Sequence, residues 1–196
     1  MMNPLATNGC DGQALKQLAV AGRIWLEQHH ERVNQLNVFP IPDGDTGINM
    51  LLTMRNACAE VEDDASPSAA HIARKLAHGA IMGSRGNSGT ILSRIWSGFA
   101  QGLGTAEQLS LPILVLALRH ASDSAYSGVQ TPTEGTILTI IRELAEAAAR
   151  LDPAPEHDAV AFLERLVAHG WQAVERTPEQ LPILKQPAWW IPAALA

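Results

Sequence analysis

Apolar residues recur at every third or fourth position along most of the chain, which is the spacing of one face of an α-helix. The first such run extends from Gln13 to about Asn34 and predicts a helix with one buried face. That face is predicted to carry Leu15, Leu18, Gly22, Trp25 and His29.

Six further helices follow from the same spacing, and turn-forming residues separate them. The run ILTII is rich in β-branched residues, but it continues directly into RELAEAAAR, which strongly favours helix. The pattern therefore predicts an all-α domain of antiparallel helices joined by short loops. The predicted ranges are Thr46–Glu62, Ser66–Met82, Ser88–Leu103, Leu111–Tyr126, 136–151 and His157–Val174.

Composition and charge narrow the class of protein. The chain has 196 residues, enough for a single domain with a sizeable core. Hydrophobic residues make up 46% of it and charged residues 17%, a balance typical of a globular protein rather than a disordered one. The net charge is -6 and the basic residues form no cluster, which argues against a nucleic-acid partner.

Cellular location is indicated by what the sequence lacks. The two cysteines, Cys10 and Cys58, have neither metal-ligand spacing nor the pattern of a disulfide framework, which fits a reducing compartment. The N-terminal residues lack the charged-then-apolar order of a signal peptide. No apolar run reaches the roughly 18 residues of a membrane span. The sequence therefore predicts a cytoplasmic protein.

Two aspartates, Asp43 and Asp45, stand close together in the segment NVFPIPDGDTGINM, just before a predicted helix. One interpretation is a turn in which an Asp or Thr caps the helix. A calcium loop of the EF-hand type is excluded, because Ile48 stands where that loop needs Gly and Met54 where it needs Glu. The third interpretation is a magnesium site, since a bound cation offsets the repulsion between neighbouring carboxylates.

A second loop, GSRGNSG from Gly83 to Gly89, opens another predicted helix. The N–H groups at the start of a helix have no partner within it and carry partial positive charge, so they bind phosphate well. The loop has neither the Gly-Lys-Ser/Thr ending of a Walker A motif nor the Rossmann spacing. An ordinary connection between helices is the alternative interpretation.

A third loop, TPTEG, precedes the sixth predicted helix and is also small and polar, with Thr133 and Thr136 as candidate caps. If the helices alternate in direction, the three loops gather at one end of the bundle. One loop then offers carboxylates, one offers N–H groups and the third is small and polar. This combination predicts a site for a metal ion and a nucleotide.

Three motifs, LNVFPIPDGDTGINM, GSRGNSGTILSRIWSGF and TEGTILTIIREL, follow one another in this order. Together they resemble the L-type (DhaL-like) domain of the dihydroxyacetone kinase superfamily. They are most similar to the N-terminal domain of the bacterial fatty acid kinase catalytic subunit, over a range from about Leu15 to Lys185. The resemblance implies an antiparallel eight-helix barrel that holds ATP or ADP at one end through two Mg²⁺ ions.

The resemblance also implies roles for individual residues. Asp43 and Asp45 match the metal ligands, and Asn37, the third metal candidate, lies near a position where the dihydroxyacetone kinase branch has a further Asp. Arg85 fits the fatty acid kinase pattern, and we expect it to act in catalysis with the two aspartates by steadying the charge of the transferred phosphate. The residues expected to contact or support the nucleotide are Thr46, Asn49, Gly83, Ser84, Asn87, Ser88, Gly89 and Thr136.

The implied activity is that of an ATP-dependent kinase that phosphorylates a fatty acid carboxylate. A carboxylate is already a nucleophile at neutral pH, so the reaction needs no general base. The implied partner is a separate lipid-binding protein of the DegV type, which presents the acyl chain. Two alternatives stay open: a dihydroxyacetone kinase L-type nucleotide-binding subunit, and a non-catalytic lipid-binding or regulatory domain. The oligomeric state also stays open, with a homodimer as one alternative.

The kinase-like domain is expected to cover residues 1–186, because residues 187–196 depart from the family. They read PAWWIPAALA, whereas the family tends to continue as Ala-Gly-Val-Val-Asp-Ser-Gly-Gly into further domains. Loss of one base after the codon of Gln186 converts one reading into the other. A frameshift is therefore expected, with a divergent natural tail as the alternative. Without the further domains the chain is expected to bind Mg–ATP but to transfer phosphate poorly.

Overall fold

The computed structural model describes residues 10–151 and 158–185, which form seven α-helices and one short 3₁₀-helix. Within these ranges the only β-pairing is an isolated bridge between Cys10 and Leu109, so the all-α prediction is confirmed. None of the described helices is long and apolar enough to cross a membrane. The aberrant tail predicted at 187–196 lies outside the described residues. The helices are α1 (Gly12–Gln35), α2 (Thr46–Ala59), α3 (Ala69–Met82), α4 (Gly86–Leu103), α5 (Leu111–Ser127), α6 (Ile137–Arg150), α7 (Ala159–Gln180) and the 3₁₀-helix Pro182–Lys185.

Polar residues just before the apolar runs determine where several helices begin. The Asp11 carboxylate accepts the N–H of Ala14 at 2.8 Å at the start of α1. Asp158 accepts the N–H of Val160 at 2.8 Å at the start of α7. Ser68 caps α3, so this helix begins slightly later than predicted. Such side chains satisfy N–H groups that have no partner within the helix.

The long helix α7 continues to Gln180, although the sequence predicted an end near Val174. Pro178 lies inside the helix and has no N–H to donate to the Val174 carbonyl. The hydroxyl of Thr177 donates to that carbonyl instead, at 2.7 Å. Because Thr177 and Pro178 are also buried, packing of this turn helps to offset the missing backbone bond. The predicted end was therefore too early.

Helices that follow one another along the chain pack side by side, as α1 does on α2 and α4 on α5. Alanine occupies many of the buried positions, among them Ala57, Ala73 and Ala117. Small side chains at a contact let helix axes approach closely. Larger side chains such as Leu51 and Ile72 are fully buried between the helices. The core is therefore built from closely spaced helices joined by short connections.

The apolar face of α1 is not buried in the way that the sequence predicted. Leu15 is buried, but Leu18 is 44% and Trp25 65% exposed, and Gly22 is exposed as well. The Trp25 ring packs against the ring of the half-buried His29, with centroids 4.2 Å apart and the two ring planes tilted by 48°. This part of the prediction is wrong, because α1 packs mainly on α2 and α3 and the spacing alone does not show which face they cover. The buried residues of α1 are Gly12, Ala14, Leu15 and Ala19.

Both cysteines are buried and free, which agrees with the absence of a disulfide framework in the sequence. Burial, aided by the neighbouring Asp11 carboxylate, raises the pKa of the Cys10 thiol to about 11. Burial also raises the pKa of Cys58. Since the thiolate is the nucleophilic form, both groups are poor nucleophiles and behave as small core residues.

Candidate functional site

A cavity of about 720 Å³ lies where three loops meet. Two of them connect α1 to α2 and α5 to α6. The third, the glycine-rich segment Gly83–Gly89, runs from the α3–α4 connection into the first turn of α4 and lines the cavity through Gly86, Asn87 and Ser88. Leu181 and Leu184, near and within the 3₁₀-helix, complete the wall. The volume lies within the usual range for sites that bind small molecules. The three polar loops singled out in the sequence are therefore neighbours in space.

Most of the predicted site residues line this cavity; of the rest, Asn49 lies beneath the glycine-rich segment Gly83–Gly89 and four belong to that segment. The residues that line it are Asn37, Asp43, Asp45, Thr46, Asn87, Ser88 and Thr136. The residues that do not are Asn49, Gly83, Ser84, Arg85 and Gly89.

The first loop turns tightly around Gly44, whose φ of 69° favours glycine. The side-chain nitrogen of Asn37 donates to Asp43 Oδ1 at 2.7 Å and to the Ile41 carbonyl at 3.0 Å. The side-chain oxygen of Asn37 accepts a hydrogen bond from the Thr46 hydroxyl at 2.9 Å. Asn37 therefore ties the two ends of the turn together, in addition to lining the cavity.

The start of α2 is capped from another helix. Asp45 stands at the N-cap, but its side chain makes no capping bond. The side-chain oxygen of Asn34, in the last turn of α1, accepts the N–H of Gly47 at 2.7 Å and that of Ile48 at 3.1 Å. The interpretation of Asp45 as a side-chain cap is therefore wrong. Asp45 lines the cavity instead.

The glycine-rich loop rests on α2 through two side chains. Gly86 has a φ of 56°, and a Cβ at this position would overlap the side chain of Asn49. A Cβ at Gly89 would likewise overlap the hydroxyl of Thr53. That hydroxyl donates to the Asn49 carbonyl at 2.8 Å and accepts the N–H of Arg85 at 3.3 Å. Asn49 and the fully buried Thr53 therefore support the loop from beneath.

Substitution of Thr53 by Val tests this support. Val has nearly the same shape but cannot accept the N–H of Arg85, so we expect the free energy of unfolding to fall by about 1–3 kcal/mol. Thr90→Val, which removes an exposed hydroxyl from the same region, should change it by less than about 0.5 kcal/mol. Urea unfolding measures both variants. If Thr53→Val unfolds at the same urea concentration as the unaltered chain, the Thr53 hydroxyl does not hold the loop.

The side chains of the glycine-rich loop point to different surroundings. The guanidinium of Arg85 donates to the Ser84 carbonyl at 3.2 Å, and Arg85 is exposed outside the cavity lining. Gly83 is buried at the end of α3. The Ser88 hydroxyl, by contrast, lines the cavity and donates to the Thr46 carbonyl at 3.3 Å. Ser88 therefore joins the second loop directly to the first.

The third loop is held by Glu134, which precedes α6. Its carboxylate accepts hydrogen bonds from the hydroxyls of Thr139 at 2.6 Å and Tyr126 at 2.8 Å, and from Arg142 at 2.9 Å. These bonds, that from Thr139 above all, lower the pKa of Glu134. Thr136 caps α6, as the sequence suggested. The loop is thereby fixed while its neighbouring residues face the cavity.

The charge at the cavity is one-sided. Asp43 and Asp45 line it, whereas the lining found within the described part of the chain contains no Lys, Arg or His. A phosphate group would therefore meet two negative charges with no side-chain cation to offset them. Mg²⁺ suits this donor set, because it uses one or two carboxylates and completes its coordination with waters and phosphate oxygens. Residues 10–151 and 158–185 hold no cluster of three or more His, Cys, Asp or Glu suited to a metal.

Comparison with known protein families agrees with the all-α fold. The DAK2 domain family matches residues 40–190, a range that includes Asp43, Asp45 and the other two loops. The chain therefore belongs to the DAK2 domain family, which is related to kinases and binds nucleotides in general.

Individual relatives extend the match to most of the chain. Protein YloV of Bacillus subtilis is 38% identical over 176 residues, which make up 90% of this chain and 32% of that protein. An uncharacterized protein of Staphylococcus saprophyticus, SSP1546, is 35% identical over the same length. Another from Staphylococcus aureus, SAB1090, is 34% identical. The chain thus spans about a third of the length of these relatives.

Proposed function

We propose that the cavity binds a nucleotide together with Mg²⁺ and that the chain is the nucleotide-binding domain of a kinase. The observation that carries this proposal is the pair of carboxylates, Asp43 and Asp45, in a described lining without a cationic side chain. Two anionic groups beside the start of α4 are of little use to a phosphate unless a metal joins them to it. Membership of the DAK2 family supports the same conclusion.

In this proposal, different residues around the cavity bind the metal and the phosphates. Asp43 and Asp45 would hold the metal, with Asn37 orienting Asp43 through its 2.7 Å hydrogen bond. Asn87 and Ser88, in the first turn of α4, lie where N–H groups carry partial positive charge and attract phosphate. Bound Mg²⁺ supplies the positive charge that offsets the phosphates. The role of Arg85 in transfer stays a prediction.

The phosphoryl acceptor in this proposal is a fatty acid carboxylate presented by a separate lipid-binding protein of the DegV type. The resemblance of the GSRGNSG loop, in which Arg85 fits the fatty acid kinase pattern, supports this choice over a dihydroxyacetone kinase L-type subunit. Because the chain spans only about a third of its relatives, phosphoryl transfer is expected to need the rest of such a protein as well. The alternative function is lipid binding, which is supported by apolar lining residues such as Phe39 and Leu138.

Thermal unfolding with ATP, with Mg²⁺ and with both together tests the proposal. A ligand that binds only the folded state adds about 2.7 kcal/mol of stability at 100 times its dissociation constant. We expect a clear rise in Tm with ATP and Mg²⁺ together and a much smaller one when EDTA is present. Stabilisation by a fatty acid, with none by Mg–ATP, would contradict the proposal and favour the lipid-binding alternative.

A further inference from the structure

Asp45 occupies the N-cap of α2, the position where an aspartate ordinarily uses its carboxylate to accept N–H groups of the first turn. In this structure the acceptor is Asn34, whose side-chain oxygen lies 2.7 Å from the N of Gly47 and 3.1 Å from the N of Ile48. Asp45 makes no capping bond. A side chain of α1 therefore caps α2 in place of the N-cap residue.

The backbone of Asp45 fits this exchange of roles. Its φ of -114° and ψ of -1° lie outside the extended region, whereas a residue that caps its own helix usually adopts an extended conformation. The half-buried Asp45 lines the main cavity. Asn34 does not line that cavity but a smaller one of about 250 Å³, which Gly44 also lines. The cap thus reaches α2 without joining the lining of the proposed metal site.

We propose that Asn34 is a positioning residue that caps α2 in place of Asp45 and so keeps the Asp45 carboxylate available to a cation. The inference rests on the proposed Mg–nucleotide site. An amide suits this task because it supplies an acceptor without adding a third negative charge beside Asp43 and Asp45. Without Asn34, the Asp45 carboxylate stands at the N-cap position, where an aspartate can accept first-turn N–H groups, and such capping competes with metal binding.

Loss of Asn34 should raise the Mg²⁺ concentration needed for ATP binding rather than weaken ATP binding at saturating Mg²⁺. In Asn34→Ala, half-maximal ATP binding is expected to need about tenfold more Mg²⁺, comparable to the worth of one N-cap bond. At saturating Mg²⁺ the Kd for ATP should return to within about threefold of that of the unaltered chain, because the metal then outcompetes the cap. A general loosening of the site would weaken ATP binding at every Mg²⁺ concentration.

Calorimetric titration of ATP at a series of Mg²⁺ concentrations distinguishes these outcomes. Asn34→Asp keeps an acceptor of the same shape and adds a negative charge near the site, so its Mg²⁺ requirement should not rise above that of the unaltered chain. Gln35→Ala changes the adjacent residue and should have no effect. If Asn34→Ala does not fold, Asn34→Gln displaces the acceptor and should shift the requirement in the same direction.

The failures of the two proposals can be told apart in the same titrations. An unaltered chain that does not bind Mg–ATP overturns the proposed function and this inference with it. An unaltered chain that binds Mg–ATP, with an unchanged Mg²⁺ requirement in Asn34→Ala and Asn34→Gln, overturns only the inference about Asn34. A loss of ATP affinity that is equal at all Mg²⁺ concentrations also overturns it, since the role of Asn34 would then be purely structural.

Discussion

Gly47→Ala is expected to destabilise the fold by at least about 2 kcal/mol, because the added methyl group has no space. A Cβ at this position would lie 2.8 Å from the carbonyl carbon of His30 and 2.9 Å from its Cα, and it would overlap the carbonyl oxygen. These are backbone atoms of α1, so no side chain can rotate away. Relief requires α2 to move away from α1, which also lengthens the bonds from Asn34.

Gly22→Ala is the matched control for this prediction. It makes the same change within α1, but a Cβ at Gly22 would have nothing within 4 Å. Alanine is the better helix former by about 0.5–1 kcal/mol, so this variant should be more stable than the unaltered chain. Urea unfolding gives both values. If Gly47→Ala is stabilised to the same extent, the close approach of α1 and α2 at the site does not exist.

The helices and the three loops could be predicted from the sequence because their signals are local. Asp, Ser and Pro precede the apolar runs that they begin, and the loop around Gly44 carries its own turn residues. The side chains that hold the site in place, by contrast, lie far in the sequence from the groups that they contact. Asn34 caps a helix that begins more than ten residues after it, and Thr53 contacts the N–H of Arg85, 32 positions away. Neither contact leaves a pattern in the neighbouring residues.

The prediction that the Leu18, Gly22 and Trp25 face of α1 is buried was wrong for a related reason. The spacing of Leu18, Gly22 and Trp25 correctly indicates an apolar stripe, but burial depends on whether another element covers that stripe. In the described part of the chain, α1 packs mainly on α2 and α3, and the buried residues are offset around the helix toward Ala14 and Ala19. Periodicity predicts the helix; the order in which helices pack decides which side is covered.

Replacement of both aspartates by asparagine, Asp43→Asn together with Asp45→Asn, should abolish the stabilisation that ATP gains from Mg²⁺. The change keeps the shape of both side chains and removes both negative charges that would hold the metal. At 100 times the original Kd, the expected stabilisation falls from about 2.7 kcal/mol to nearly none. The measurement is the Tm with ATP, Mg²⁺ or both, as for the unaltered chain.

The stability of the same variant without ligand separates the two interpretations of the aspartate turn. Asparagine keeps an oxygen that can accept from Asn37, and Asp45 makes no capping bond that could be lost. Without ligand, the Tm of the double variant should therefore match or exceed that of the unaltered chain, since repulsion between two carboxylates is removed. If the pair served only to shape the turn, neither the presence of Mg²⁺ nor the charge would change anything measured with ATP.

A charge-matched control completes this test. Asp63→Asn together with Asp123→Asn removes two exposed carboxylates outside the cavity lining, so the net charge of the chain changes by the same amount. This control should keep the full response to Mg–ATP, because long-range repulsion is screened beyond about 8–10 Å at ordinary ionic strength. A loss in both double variants would mean that net charge governs nucleotide binding. A loss in the Asp43 and Asp45 variant alone would assign it to carboxylates held at the cavity, where a phosphate has no side-chain cation within the described lining.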